Sequence, residues 1–294
     1  MGASLKEIKR QSVAVDKTRQ ITRAMNMVAA SKLKAAQVKM ENFRPYAGKL
    51  MEVFSSLSGR IVSTTNPLLA ARDSGRIRVI VMTSDRGLCG GFNTNVIKEV
   101  EKFTRRKKAE GKDVSLIAVG KKGRDFFRKK QTVASQHVDQ LSRFDISLAT
   151  RIAEEAIPSF IAEEYDELYL CYNEFRSVAS QKPVMARLLP AAPVGSDEEE
   201  QELDAGADYV YEPSEEELLA HIIPMYLRVL IYKGLLETSA GEHGARMVAM
   251  DNATSNCEEM IQSLTQKFNS ARQAAITAEL MDIVGGTEAL SAKG

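Results

Sequence analysis

Apolar positions fall into three regimes along the chain. Between Ala3 and Arg44 there is no Gly or Pro, and apolar residues recur at Ile21, Met25, Val28, Leu33, Ala36, Met40 and Phe43. Steps of three to five residues predict one long amphipathic helix. Pro45 and Gly48 interrupt it, yet the pattern resumes at Leu50, Val53, Phe54 and Leu57. That predicts a kink at the proline followed by continuation, not a clean stop. From Ala245 to Val284 Gly and Pro are absent again. Met247, Met250, Thr254, Cys257, Ile261, Leu264, Phe268, Ala271, Ala275 and Ala278 alternate steps of three and four. That is the seam of a left-handed coiled coil. Its narrowing to alanine predicts a slimmer end. Neither stripe can be hidden by its own helix, so the simplest arrangement pairs the two chain ends antiparallel.

The middle of the chain reads differently. Arg78–Thr83, Val114–Gly120 and Glu167–Tyr172 are short β-rich apolar runs, and Pro183–Leu189 suggests a fourth strand. Helical patterns occupy Thr94–Lys108, Lys121–Lys130 and Ile146–Glu164, the last containing Pro158. Strands alternating with helices predict a parallel sheet. The expected fold is α/β: an antiparallel coiled coil of the N- and C-terminal helices with an inserted Rossmann-like α/β domain. The expected divisions are a first coiled-coil helix over 1–60, the α/β domain over 76–195, an acidic loop over 196–213 and a second coiled-coil helix over 214–294.

Charge changes this picture locally. The 294 residues carry 40 Lys+Arg against 39 Asp+Glu, a net charge of +1, which argues against a globally basic nucleic-acid binder. Residues 1–49 nevertheless hold eleven bases and three acids, whereas residues 196–217 hold eleven acids and no base. Different faces should therefore meet different partners. The basic stretch has only Phe43 and Tyr46 as stacking aromatics, both at its end, so an acidic protein fits it at least as well as a nucleic acid. No run approaches 18 uncharged apolar residues, which predicts no membrane span. Cys89, Cys171 and Cys257 are far apart, with no CxxC, and only three His are present. That predicts neither a disulfide framework nor a metal site. Gly2 invites a myristoylation reading, but Lys6 stands where that motif wants Ser or Thr, and no apolar signal core follows.

The most tempting chemistry lies at Ser84–Asn93, which follows the first strand and opens a helix. Such turns bind phosphate through helix N-terminal amides. The spacing of Gly87, Gly90 and Gly91 is G-x-x-G-G, neither the dinucleotide fingerprint nor a P-loop. No acid closes the second strand to hold a ribose. These glycines are expected to serve a structural turn or an interface. A thiolate role for Cys89 at the helix start has no neighbouring His in sequence to support it. Glu258-Glu259 and Glu215-Glu216-Glu217 read as solvated helix faces.

Several blocks resemble one family end to end. Ile21-Thr22-Arg23-Ala24-Met25-Asn26-Met27-Val28-Ala29-Ala30-Ser31-Lys32-Leu33 matches its N-terminal helix, and Ser84–Asn93 matches its SDRGLCGGFN segment. Arg246–Thr254 and Ile276–Gly286 match its C-terminal helix and end signature, with Thr287 where the pattern usually has Ala. On these residues the sequence resembles the gamma subunit of bacterial F-type ATP synthases. The family's chloroplast-type cysteine insertion is missing.

The resemblance implies a non-catalytic rotor subunit without a cofactor, on the cytoplasmic face of the bacterial inner membrane. Its partners would be the alpha and beta subunits of the catalytic hexamer, the epsilon subunit and the membrane c-ring. It implies rotor–stator contacts at Arg23, Met25, Lys32, Lys34, Arg246, Gln273 and Thr277, and a foot near the c-ring at Tyr209, Tyr211 and Glu212. From the residues alone, a nucleotide-binding α/β enzyme and a coiled-coil scaffold unrelated to rotation stay open.

Overall fold

The computed structural model describes residues 5–58, 66–72, 75–191 and 215–291, with side chains omitted at Ser58, at 215–217 and at 288–291. Two helices dominate it, α1 (Leu5–Ser58) and α5 (Glu215–Ser291). Between them in sequence come β1 (Arg76–Met82), α2 (Phe92–Ala109), β2 (Asp113–Val119), α3 (Lys121–Phe127), β3 (Thr132–His137), α4 (Ile146–Ile161), β4 (Glu167–Phe175) and β5 (Gln181–Leu189). Helix α1 does continue through Pro45. The chain divides into two compact units, Met1–Val28 with Met247–Gly294, and Ala29–Arg246.

In the second unit the strands form one sheet in the order β3-β2-β1-β4-β5. β1 to β4 run parallel, but β5 pairs antiparallel with β4. That corrects the expected all-parallel sheet. The β4–β5 connection spans only residues 176–180, too short for a crossover helix. β5 is an edge strand and so tolerates Pro183. β3 was not foreseen. Its residues alternate between exposed and half-buried, as suits a strand at the other edge, and Thr132, Ser135 and Gln136 give it no apolar run.

Side chains alternate cleanly across the sheet. Ile77, Val79, Val81, Val114, Leu116 and Cys171 pack with Val96, Val100 and Phe103 of α2 and Phe127 of α3. On the other face Ile80, Met82, Ile117, Val119, Leu168 and Leu170 pack with α4, the later part of α1 and the first part of α5. Phe54 stacks on Tyr226 at 4.1 Å, and Phe43 meets Tyr232 edge-on at 4.8 Å. Gly234 lets α5 approach the sheet. A Cβ there would stand 3.0 Å from Met82 Sδ and 3.1 Å from a Leu170 methyl. Between Leu218 and Thr287, α5 also contains an 18-residue window with a mean hydropathy of 1.3, apolar enough by length and composition to cross a membrane. The sequence reading missed it. Leu219, Ile223, Leu227, Ile231 and Leu235 account for apolar character there, because they belong to the core.

In the first unit the two chain ends lie antiparallel. Thr22 and Thr254 hydroxyls are 2.8 Å apart, Asn26 Nδ2 donates to Met247 O at 2.9 Å, and Arg19 reaches Glu258 at 3.9 Å. The α5 heptad is seen directly. Met250 and Leu264 are buried, Thr254, Cys257, Ile261, Phe268, Ala271 and Ala275 are half-buried, and most residues between them are exposed. Two expectations need correction. On α1 the inward positions are Ile8, Thr22 and half-buried Asn26, whereas Ile21 is 60% exposed and Val28 58%. The expected stripe fails at these two positions because the seam there holds polar groups, whereas Met25 is half-buried and, further along α1, Leu33, Ala36 and Met40 are buried as expected. At the far end of α5, Ala278 is exposed, as are all described residues from Ile276 to Thr287. By the Thr22–Thr254 register, Leu5 already lies opposite about residue 271, so the described part of α1 offers this stretch no partner.

Candidate interaction surfaces and the glycine-rich turn

The turn after β1 is tied down from inside. Ser84 N donates to Asn93 Oδ1 at 2.8 Å, and Asn93 Nδ2 donates to Ser84 Oγ at 2.8 Å and to Cys89 Sγ at 3.3 Å. The Asp85 carboxylate accepts three backbone N–H groups, from Lys121, Asp139 and Leu141. Thr83 Oγ1 accepts from Gly123 N at 2.8 Å. Gly120 has φ +95°, and a Cβ on it would fall 2.0 Å from Thr83 O, so only glycine fits there. Leu88 and Gly90 both have positive φ, 62° and 56°. Gly91 caps α2 without any side-chain hydrogen bond.

Arg246 closes the turn from α5. Its Nε and Nη2 donate to Gly87 O at 3.3 and 3.0 Å, and Nη2 pairs with Glu242 at 2.8 Å. Burial pushes the Glu242 carboxyl up, against the pull of Arg246. His243 Nδ1 lies 3.5 Å from Arg246 Nη1. Because a guanidinium only donates, Nδ1 is the acceptor and the imidazole is neutral. Burial, with Arg246 and Lys32 nearby, pushes the His243 pKa down to about 4. Burial pushes the Cys89 thiol up. The side chain packs inside the turn, 2% exposed, which agrees with a small packed residue and not a thiolate at the helix start.

In sheets of this order, ligands enter the crevice beyond the C-terminal ends of the strands, where the order reverses. Here that crevice lies between β1 and β4, and α5 fills it. Gly241 lies against Phe92 and Gln181, Glu237 accepts Phe175 N at 2.7 Å, and Thr238 Oγ1 meets Met82 Sδ at 3.9 Å. Asn173 Nδ2 ties β4 to Phe92 O at 2.9 Å. The glycine turn thus faces its own chain. Among the described residues no group of three or more His, Cys, Asp or Glu is placed to hold a metal ion.

The residues expected to contact partners are spread over both units. Arg23 is exposed and Met25 half-buried in the first unit, and Lys32 and Lys34 are exposed in the second. Gln273 and Thr277 are exposed one turn apart, the Thr277 hydroxyl donating to Gln273 O at 2.9 Å. Arg246 departs from the surface placement expected of a contact residue: it is 8% exposed, and its donors point at its own chain. Tyr209, Tyr211 and Glu212 lie outside the described residues, as do the side chains of Glu215-Glu216-Glu217. Sequence reading missed the cross-helix pairing of Thr22 with Thr254, although both sit at seam spacing. It also missed Leu88, the apolar tip of the turn.

Comparison with known proteins completes the description. A family model described as ATP synthase matches residues 4–290. The ATP synthase gamma chain of Syntrophus aciditrophicus is 60% identical over 292 residues, covering 99% of this chain and all of that one. The gamma chain of Desulfotalea psychrophila is 50% identical over 287 residues, 98% and 99% of the two chains. Among solved structures, a chain of the central stalk and c-ring structure of the Tetrahymena thermophila mitochondrial ATP synthase matches at 26% identity with a TM-score of 0.59. It covers 79% of this chain and 99% of that one. A chain of the Euglena gracilis mitochondrial ATP synthase shares the fold, with a TM-score of 0.69 at 20% identity over 98% and 95% of the two chains. Fold and comparisons define the class, a central-stalk subunit of an F-type ATP synthase. The chain belongs to the ATP synthase gamma-chain family.

Proposed function

We propose that this subunit turns with the membrane c-ring. In that role it couples proton flow to ATP synthesis, or hydrolysis to pumping, at the beta-subunit sites, and it influences ATPase activity and proton flow. Alpha and beta subunits would surround its helices, epsilon and the c-ring would hold its foot, and the complex would sit on the cytoplasmic face of the bacterial inner membrane. The observation that carries this reading is the apolar end of α5 beyond the seam, which the described part of α1 does not reach. Ile276, Leu280, Met281, Ile283 and Val284 are all exposed at the end of α5, and an enclosing ring of subunits is what would cover them. Arg23, Lys32 and Lys34 offer cations to acidic loops of beta, Gln273 and Thr277 offer hydrogen bonds to others, and Tyr209, Tyr211 and Glu212 belong to the proposed foot. Arg246 would reach a beta loop only by giving up bonds to its own chain.

Met25 is the coupling position to test. An uncharged, flexible thioether slides past a changing partner more easily than a cation does. In membranes carrying Met25→Lys, ATP hydrolysis should persist while proton pumping per ATP falls. Pumping equal to wild type would contradict the contact.

A further inference from the structure

A cavity of about 120 Å³ lies wholly within the second unit. Lys32 and Lys39 of α1 line it, with Ser142 from the segment between β3 and α4, and Ser239 and His243 of α5. Leu141, Phe144 and Leu236 give it apolar walls. A space of that size holds several waters or one small polyatomic ion. No carboxylate lines it, and each of the five polar side chains can donate a hydrogen bond.

Two of those donors are idle. Ser239 is 8% exposed, yet its hydroxyl has no hydrogen-bond partner among the described residues. A buried hydroxyl without a partner costs stability. His243 Nδ1 accepts from Arg246, so Nε2 carries the ring hydrogen, and among the described residues nothing accepts it. The charge around the cavity is one-sided as well. Neither Lys32 nor Lys39 has a carboxylate partner among the described residues, and Lys39 Nζ stands 5.8 Å from the centre of the Phe144 ring. Glu242, next to His243 in the chain, is held by Arg246 at 2.8 Å. A cleft lined by one sign of charge between apolar walls concentrates its field on whatever enters.

We propose that this cavity binds a small tetrahedral oxyanion of the phosphate class, held by Lys32 and Lys39 from α1, Ser142 from the segment before α4, and Ser239 and His243 from α5. The ion joins three elements that meet around it, and so stabilises the second unit by mass action. The anion site of this chain is then a cleft between its helices and not the glycine-rich turn.

The purified full chain tests it, titrated with phosphate against chloride at fixed ionic strength. The side-chain ¹H–¹⁵N resonance of His243 Nε2 should shift saturably, with a Kd on the order of 1 mM, while His137 and His221 show no saturable shift. Lys32→Gln combined with Lys39→Gln, both at exposed positions, should weaken binding about tenfold or more. The same double charge change at exposed Lys98 and Lys102 of α2 should leave the affinity unchanged. Ser239→Ala should weaken phosphate binding severalfold, with its melting temperature in chloride unchanged or higher. Glycerol 3-phosphate, titrated in parallel, distinguishes the free ion from an esterified phosphoryl group, and a saturable shift with either supports the site. No saturable shift at His243 with either anion, or an equal loss of affinity in the Lys98 and Lys102 variant, would overturn it. So would a clear fall in melting temperature for Ser239→Ala in chloride, which would show that the hydroxyl already has a partner in its own chain.

Discussion

Helix α5 is packed in two different ways along its length. In the second unit, between Leu219 and Arg246, most of its residues are buried, and it meets the sheet, α4 and α1 at once. In the first unit Met250 and Leu264 are the only buried ones among the helix's described side chains, and the rest of the seam is half-exposed as far as Ala275 and exposed at Ala278. The first arrangement is a domain core, where bulk and shape set stability. The second is one seam, where Thr22, Thr254 and Asn26 contribute hydrogen bonds and fix which residues face each other. A polar group at a seam position costs stability and specifies register. The two stretches should therefore respond differently to the same kind of substitution.

The largest effect is expected in the core. Phe54 is fully buried and stacked on Tyr226, so Phe54→Ala should destabilise by about 3–5 kcal/mol. Denaturant unfolding of the purified chain measures it. Leu264 is buried in the seam but has fewer neighbours, and Leu264→Ala should cost about 2 kcal/mol. Exposed Gln262→Ala should stay within about 0.5 kcal/mol. Equal losses at 262 and 264 would break the heptad register. The next effect depends on pH. His243 is neutral in the fold with its pKa pushed down to about 4, whereas an unfolded His titrates near 6.5. Between those values the unfolded chain binds more protons, so stability falls as pH drops from about 6.5 toward 4. His243→Gln should flatten that part of the melting-temperature profile. The smallest effect is the coupling between Thr22→Val and Thr254→Val, about 0.5–1.5 kcal/mol in a double-mutant cycle.

What could be read from the sequence followed from how much burial each element undergoes. β1, β2 and β4 were legible because both their faces are covered and their residues form apolar runs. β3 was not, since an edge strand with Ser135 and Gln136 on it resembles a loop. The α5 seam was legible because Ile261, Leu264 and Phe268 keep strict spacing. On α1 the stripe was legible from Leu33 through Met40, which are buried, but misread at Ile21 and Val28, which are exposed, while Thr22 is buried and Asn26 half-buried. Apolar pattern reports burial only where burial is apolar. At the turn, the glycine spacing argued against a phosphate loop. That Arg246 clamps it, and that α5 fills the crevice, depended on contacts about 160 residues apart in the chain, which no local pattern carries.

The central claim is that the two chain ends form one antiparallel unit and move together while the enzyme works. The direct test exploits the 2.8 Å approach of the Thr22 and Thr254 hydroxyls. With Cys257→Ser as background, Thr22→Cys and Thr254→Cys are introduced together, and the assembled complex is oxidised and then reduced. The disulfide should form readily, and ATP hydrolysis and proton pumping should continue in the oxidised state, because helices that turn as one lose nothing by being joined. Failure of the bond to form, or activity lost on oxidation and restored on reduction, would contradict the account.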